Sequence, residues 1–293
     1  MKKGIALLIT IFLIMLLTLA ILKSTDITDK YFKNVQRLSF FIQANKSLLD
    51  TIEVLKLTTK DINSSEALFI LQALPILVED KQSSMKLSLE LNSGANRLNI
   101  NRLIDSNNTI NQPFYDLLQN ILMKYEVMDS SYFFSILLDT LDNDSEERIF
   151  QSEIIIDEPF FTNGKIVSIE HLKYILDYYV EKRDDINIKK IPWNEFFDFE
   201  SQNSDFNYLD YRLINFIVQG IANDNTFHDE IFHNYEEIGL TDEDKKKFES
   251  IKINFFEPLL NCRMKFNYLD QQITIDFLYD IKNKKAYNFE VKI

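Results

Sequence analysis

Residues that break helices and strands are scarce in this chain: its 293 residues hold five glycines, at 4, 94, 164, 220 and 239, and five prolines. Between Gly4 and Pro75 there is neither, so nothing in the sequence stops a helix over that stretch. With glycine so rare, neither a Gly-x-Ser-x-Gly nucleophile elbow nor a glycine-rich phosphate loop can be built. Cys262 is the sole cysteine, which excludes an internal disulfide and leaves stability to the apolar core. The three histidines complete no zinc set: His228 and His233 lie five apart, on different faces of a helix, and no second cysteine joins them. Positive charge is also short. The net charge is −13 and the pI about 4.8, which argues against binding a nucleic-acid backbone or an anionic lipid surface.

What is present is concentrated at the amino end. From Ile5 to Leu22 there are eighteen residues without a charge, which as a helix rise about 27 Å, enough for a transmembrane segment. Lys2 and Lys3 before the run, and Asp26 and Asp29 after it, put the amino terminus in the cytoplasm and the rest outside. The run is too long for a cleaved secretory signal, and Ala20 has no small partner at cleavage spacing; an uncleaved anchor stays open. The order Lys2-Lys3-Gly4, followed at once by the apolar run, resembles the leader of the type IV pilin and pseudopilin superfamily. That resemblance implies processing between Gly4 and Ile5 by a prepilin peptidase on the cytoplasmic side, with residues 1–4 as the leader. Ile9 then becomes the fifth mature residue, where most of the family carries a glutamate. The K-type minor pseudopilins of type II secretion systems lack that glutamate, and the chain resembles them in particular.

Past the membrane, Tyr31, Val35, Leu38, Ile42, Leu49, Ile52 and Leu55 recur at spacings of three, four and seven, the pattern of one apolar helix face. A rod about 80 Å long that lays this stripe on a globular head fits it; a signalling stalk or coiled-coil dimer fits equally. Near residue 86 the period changes to two. Leu87, Leu89 and Leu91 alternate with polar residues, Asn92-Ser93-Gly94-Ala95 offers a turn, and Leu98, Ile100 and Leu103 return, which predicts a β-hairpin. The stretch from Ser93 to Leu103, with Asn99 and Asn101, is similar to an apolar-Asn-apolar-Asn-x-Leu segment of K-type pseudopilins.

Helical signals fill Pro113 to Ile251. Phe114, Leu117, Leu118, Ile121 and Leu122 form one stripe, Phe133 to Leu141 another, and Tyr208 to Ile221 a third; Ser168 and Thr241 stand at N-cap positions, with Asp244 completing a capping box. The tail returns to strand at Met264–Tyr268, Ile273–Tyr279 and Tyr287–Val291, an antiparallel meander. The expected fold is α+β and pilin-like: a long transmembrane and amphipathic helix packed on an antiparallel sheet, with a large helical insertion. Its divisions are 5–22 for the membrane, 23–103 for the helix and first strands, 104–255 for the insertion and 256–293 for the closing strands.

Leu138-Asp139-Thr140-Leu141-Asp142-Asn143-Asp144 is similar to an Asp-Trp-apolar-Asp-x-Asp signature of the K-type family, with Thr140 in place of the tryptophan. Asp142, Asp144, Glu146 and Glu153 also occupy positions one, three, five and twelve of an EF-hand-like register, where hard oxygens converge on Ca²⁺; Glu147 stands where the turn asks for glycine. The family resemblance independently implies calcium. A solvated acidic helix end is the other reading. Asp280 with Glu290 and Lys292 has the spacing of a metal-dependent nuclease strand, but the acidic surface opposes DNA, and no enzyme is expected. The resemblance as a whole implies a minor pseudopilin at the tip of the type II secretion pseudopilus, anchored once in the inner membrane with its head in the periplasm. Other minor pseudopilins and the inner-membrane secretion machinery would be its partners. A minor pilin of a type IV pilus and a single-pass anchored sensor or scaffold are the alternatives.

Overall fold

In the computed structural model, α1 (Lys2–Thr58) runs as one helix of 57 residues, about 86 Å long. The structure describes residues 2–73, 75–80, 85–105, 107–218, 231–268 and 270–292, with backbone alone for 2–14, 16 and 20. The side chains of Gly4 and Ile5 and most of those in the expected membrane span therefore lie outside the described residues. Among the described residues no helix is long and apolar enough to cross a membrane.

After α2 (Ser65–Gln72) comes one antiparallel sheet of β1 (Ile76–Asp80), β2 (Met85–Ser93), β3 (Leu259–Tyr268), β4 (Gln271–Asp280) and β5 (Lys285–Lys292), in that spatial order. β2 pairs with β3 from Met85 opposite Tyr268 to Ser93 opposite Leu260. Everything from Gly94 to Pro258 is thus inserted between two adjacent strands. Strand alternation puts Leu89, Leu91, Cys262, Met264, Phe266, Ile275 and Phe277 on one face, under Phe40, Ala44 and Leu55 of α1. Phe40 meets Phe266 with ring centroids 5.7 Å apart, and burial pushes the Cys262 thiol far up.

Two expectations are corrected. The stripe Tyr31, Val35, Leu38, Ile42 and Leu49 is exposed, and only Ile52 and Leu55 of that set touch the sheet core. The helix carries a second apolar face, and there Phe40 and Ala44, an aromatic beside a small residue, let the sheet approach closely; spacing reveals a stripe but not the surface it meets. The predicted hairpin of 87–91 with 98–103 also does not form. β2 takes β1 and β3 as neighbours, Leu98–Asn99 pairs in parallel with Phe197–Asp198, and Ile100–Leu103 is a 3₁₀ turn. Gly94 explains why. Its N–H donates to Leu259 O at 2.9 Å, and a Cβ there would lie 2.9 Å from Leu259 Cγ, so this glycine admits β3 rather than turning a hairpin.

The insertion has its own core. It is built from α3 (Gln112–Lys124), α4 (Ser130–Leu141), α5 (Ile154–Asp157), α6 (Ile169–Arg183), α7 (Trp193–Phe196), α8 (Tyr211–Ile217) and α9 (Asp242–Ile251). The stripe Phe114 to Leu122 is buried as its spacing predicts, and Ser168 and Thr241 cap α6 and α9. Asp244 closes the capping box through Thr241 Oγ1 at 2.6 Å, which holds its carboxyl below the usual range. The helix predicted at 208–221 is shorter: Phe206–Tyr208 is 3₁₀, Tyr211–Ile217 is helix, and 219–221 lie outside the described residues.

Asp205 ties both crossings of the neck between the two cores. Its N–H donates to Ala95 O at 2.8 Å, and its carboxylate accepts from Asn207 N at 3.0 Å and Glu257 N at 2.9 Å. Burial, partly offset by those donors, pushes its pKa up from 3.8 to about 7. A carboxyl raised on folding contributes stability that is complete below its unfolded value and is lost as pH rises through the folded one. The melting temperature of the insertion, read from the lone and buried Trp193, should therefore fall as pH climbs from about 4 to about 7. Asp205→Asn should flatten that slope, and an unchanged slope would assign the effect to other groups.

Candidate metal centre in the helical insertion

α4 ends in a cluster of buried acids. Asp139 and Asp142 are 0% and 1% exposed, and Ser152 and Glu153, just before α5, are both 0%. The Arg148 guanidinium bonds Asp139 and Asp142 together, and Ser152 Oγ donates to Asp139. Burial opposes a charge on Arg148, but the two carboxylates outweigh it and raise its pKa. One cation faces more than one acid, and the remainder show it. Burial raises the Asp142 carboxyl despite Arg148, with Asp144 and Asp139 adding to the rise; Glu153 is likewise raised by burial, with Asp139 and Asp142 adding repulsion.

The wall opposite is the loop at 163–166. Asn163 Nδ2 donates to Glu153 Oε1 at 2.7 Å and to Asp144 O at 3.3 Å, and Gly164 N donates to Thr140 O at 2.8 Å. Gly164 has φ of +98°, and a Cβ on it would collide with Asn143 Oδ1, so only glycine closes this loop. From below, Asn101 Oδ1 accepts from Ile166 N at 2.8 Å while its Nδ2 donates to Ile166 O and Phe199 O. Asn99 completes the staple by accepting from Asn101 N and donating to Ser201 O. These amides sit at the cap of a 3₁₀ turn and tie three segments of the insertion.

Four buried oxygens around this cluster have no hydrogen-bond partner among the described residues: Thr140 Oγ1, Asp142 Oδ1, Glu153 Oε2 and Asn163 Oδ1. Leaving a buried acceptor unsatisfied costs about 1–3 kcal/mol, and the set is oxygen only, with two carboxylates, the donor chemistry of a hard cation such as Ca²⁺. Among the described residues no three His, Cys, Asp or Glu side chains converge on one point, so any such site needs the amide, hydroxyl or carbonyl oxygens as well. Of the four residues in the EF-hand register, Asp142 and Glu153 share this cluster. Asp144 and Glu146 are exposed, and Asp144 Oδ1 accepts from Glu146 N at 2.9 Å. The positive φ of the segment falls on Gln151 at 63°, five residues after Glu146 and not at Glu147. Sequence reasoning missed Asn163 and Gly164, although an Asn-Gly pair in so glycine-poor a chain was a turn signal.

No protein-family model matches the chain, and no curated protein matches it in sequence. Its structure does have a counterpart. The chain superposes on a chain in the crystal structure of the GspK-GspI-GspJ complex from the type 2 secretion system of enterotoxigenic Escherichia coli, with a TM-score of 0.61. The likeness is one of fold. The match covers 90% of this chain and 99% of the other at 12% identity, so it includes the long helix, the sheet and the insertion.

The remaining candidates for chemistry are dispersed. His233 Nε2 lies 2.9 Å from Glu66 Oε1 across the head, and His228 is outside the described residues. Asp280 is registered opposite Lys285, while Glu290 stands opposite Asp276, four residues along β4, a separation of about 13 Å. Lys292 pairs with Asp276 and Glu290. The strand spacing that suggested a nuclease therefore does not assemble a metal site.

Proposed function

We propose that the chain is a minor pseudopilin at the tip of a type II secretion pseudopilus, where it takes part in protein export across the outer membrane. The observation that carries this reading is the architecture, a long amino-terminal helix on a sheet whose two adjacent strands are parted by a large helical insertion, shared over nearly the full length of a secretion-complex component. The Lys2-Lys3-Gly4 leader adds to it. So does Ile9: a subunit with no carboxylate there cannot neutralise a neighbour's amino terminus in hydrocarbon, where a bare charge costs several kcal/mol, so it suits an end of the filament and not its shaft. On this reading the protein is a single-pass inner-membrane protein with a cytoplasmic amino terminus and a periplasmic head. It meets other minor pseudopilins and the inner-membrane machinery, is processed by prepilin peptidase, and catalyses nothing itself. Calcium belongs to the same reading: Asp142, Glu153 and Asn163 would hold it with Thr140 nearby, and its charge would offset the repulsion among the acids.

Mass spectrometry of the protein extracted from membranes tests the assignment. The mature chain is expected to begin at Ile5, and Gly4→Leu to leave the leader in place. An intact Met1 on wild type, or cleavage beyond Leu22, would overturn the pseudopilin reading.

A further inference from the structure

On the outer side of the insertion, at the start of α6, lies an open cleft of about 440 Å³ lined by Glu158, Phe160, Phe161, Glu170, His171 and Tyr174. Three of its rings form a connected wall. Phe161 stacks on Tyr174 with centroids 5.5 Å apart at 29°, and meets His171 at 4.7 Å and 70°. Phe160 stands at the rim, 99% exposed. Burial lowers the pKa of His171, and its Nε2 is itself buried, so the ring forms part of the wall through its contact with Phe161.

The charges of the cleft are two carboxylates, Glu158 and Glu170, and one ammonium, Lys165 at the edge. The positive end of the α6 dipole works against a cation here, but Glu170 in the first turn offsets it. Aromatic faces with flanking carboxylates attract a planar cation, and a guanidinium uses both, stacking on rings while its N–H groups donate to carboxylates. The cleft is also held open before any ligand arrives. Phe161 N donates to Glu158 O at 2.9 Å, Gly164 N to Thr140 O at 2.8 Å and Ile166 N to Asn101 Oδ1 at 2.8 Å, so little ordering is left for binding to supply.

We infer that this cleft receives an arginine side chain presented by a partner protein, with the guanidinium against the Phe161 and Tyr174 rings and its N–H groups directed to Glu158 and Glu170. The net charge of −13 draws a basic partner surface toward it. The cleft belongs to the head alone and stands whether or not the chain caps a pseudopilus.

The test is a titration of the full chain in detergent micelles, with ¹³C-labelled histidine rings, using N-acetyl-arginine amide and its neutral isostere N-acetyl-citrulline amide. His171→Gln identifies the reporter resonance. Arginine is expected to shift the His171 ring signals saturably and to bind about tenfold more tightly than citrulline. Phe160→Ala, at a position too exposed to affect folding, and Glu158→Gln should each weaken arginine binding several-fold while leaving the tryptophan fluorescence of the fold unchanged. Equal binding of citrulline, shifts that persist undiminished in both variants, or no saturable shift with arginine would each overturn the inference.

Discussion

Arg148→Met should lower the stability of the helical insertion by about 2–3 kcal/mol, less than for a wholly buried ion pair because the guanidinium is 38% exposed while its carboxylate partners are buried. Among the described residues Arg148 is the only cation bonded to Asp139, which is 0% exposed, and it also holds Asp142. Methionine fills a similar volume but leaves both carboxylates uncompensated, and Ser152 cannot neutralise them. Trp193, buried in the insertion with its Nε1 donating to Ile188 O at 2.8 Å, reports the unfolding of that lobe by fluorescence. If the acids also bind calcium, adding it should recover more stability in the variant than in wild type. A loss below about 1 kcal/mol would mean that the pair is screened by water and behaves as a surface contact.

The fold was legible where local pattern and long-range packing agree. Glycine and proline are absent from 5–74, and α1 is unbroken; strand alternation in the tail gave β3, β4 and β5; the helical spacing of Phe114 to Leu122 gave a helix buried on that face. Legibility failed where two local patterns competed for one surface. The stripe from Tyr31 to Leu49 is as regular as the one through Phe40 and Ala44, and only the shape of the sheet decides between them. It failed again at Gly94, because a turn tetrapeptide says nothing about a strand arriving from residue 259. β1, five residues with only its first partly buried, carries too little alternation to read.

The site was half legible for a similar reason. Asp142 and Glu153 were found because acids at regular spacing stand out, but spacing placed Asp144 and Glu146 beside them in a loop that instead turns outward and spends Asp144 on the Glu146 N–H. Arg148 lies inside the same window and was unread, since a basic residue does not enter a search for cation ligands. Asn163 and Gly164 reach the cluster from the far side of α5, a contact that no local register contains.

Calcium provides the second large effect. The full chain should melt at a higher temperature with millimolar Ca²⁺ than with chelator, by about 2.7 kcal/mol at a hundredfold excess over the dissociation constant. Asp142→Asn together with Glu153→Gln keeps the shape of both side chains while removing their charge, so it should abolish the difference; it should also raise the stability in chelator, because burial and mutual repulsion already disfavour the charged forms. Asp144→Ala with Glu146→Ala, both exposed, should leave the calcium effect intact. The reverse pattern, with the effect lost in the exposed pair and kept in the buried one, would restore the EF-hand-like register. Equal melting of wild type in calcium and chelator would remove calcium from the cluster and leave Arg148 as its counter-charge.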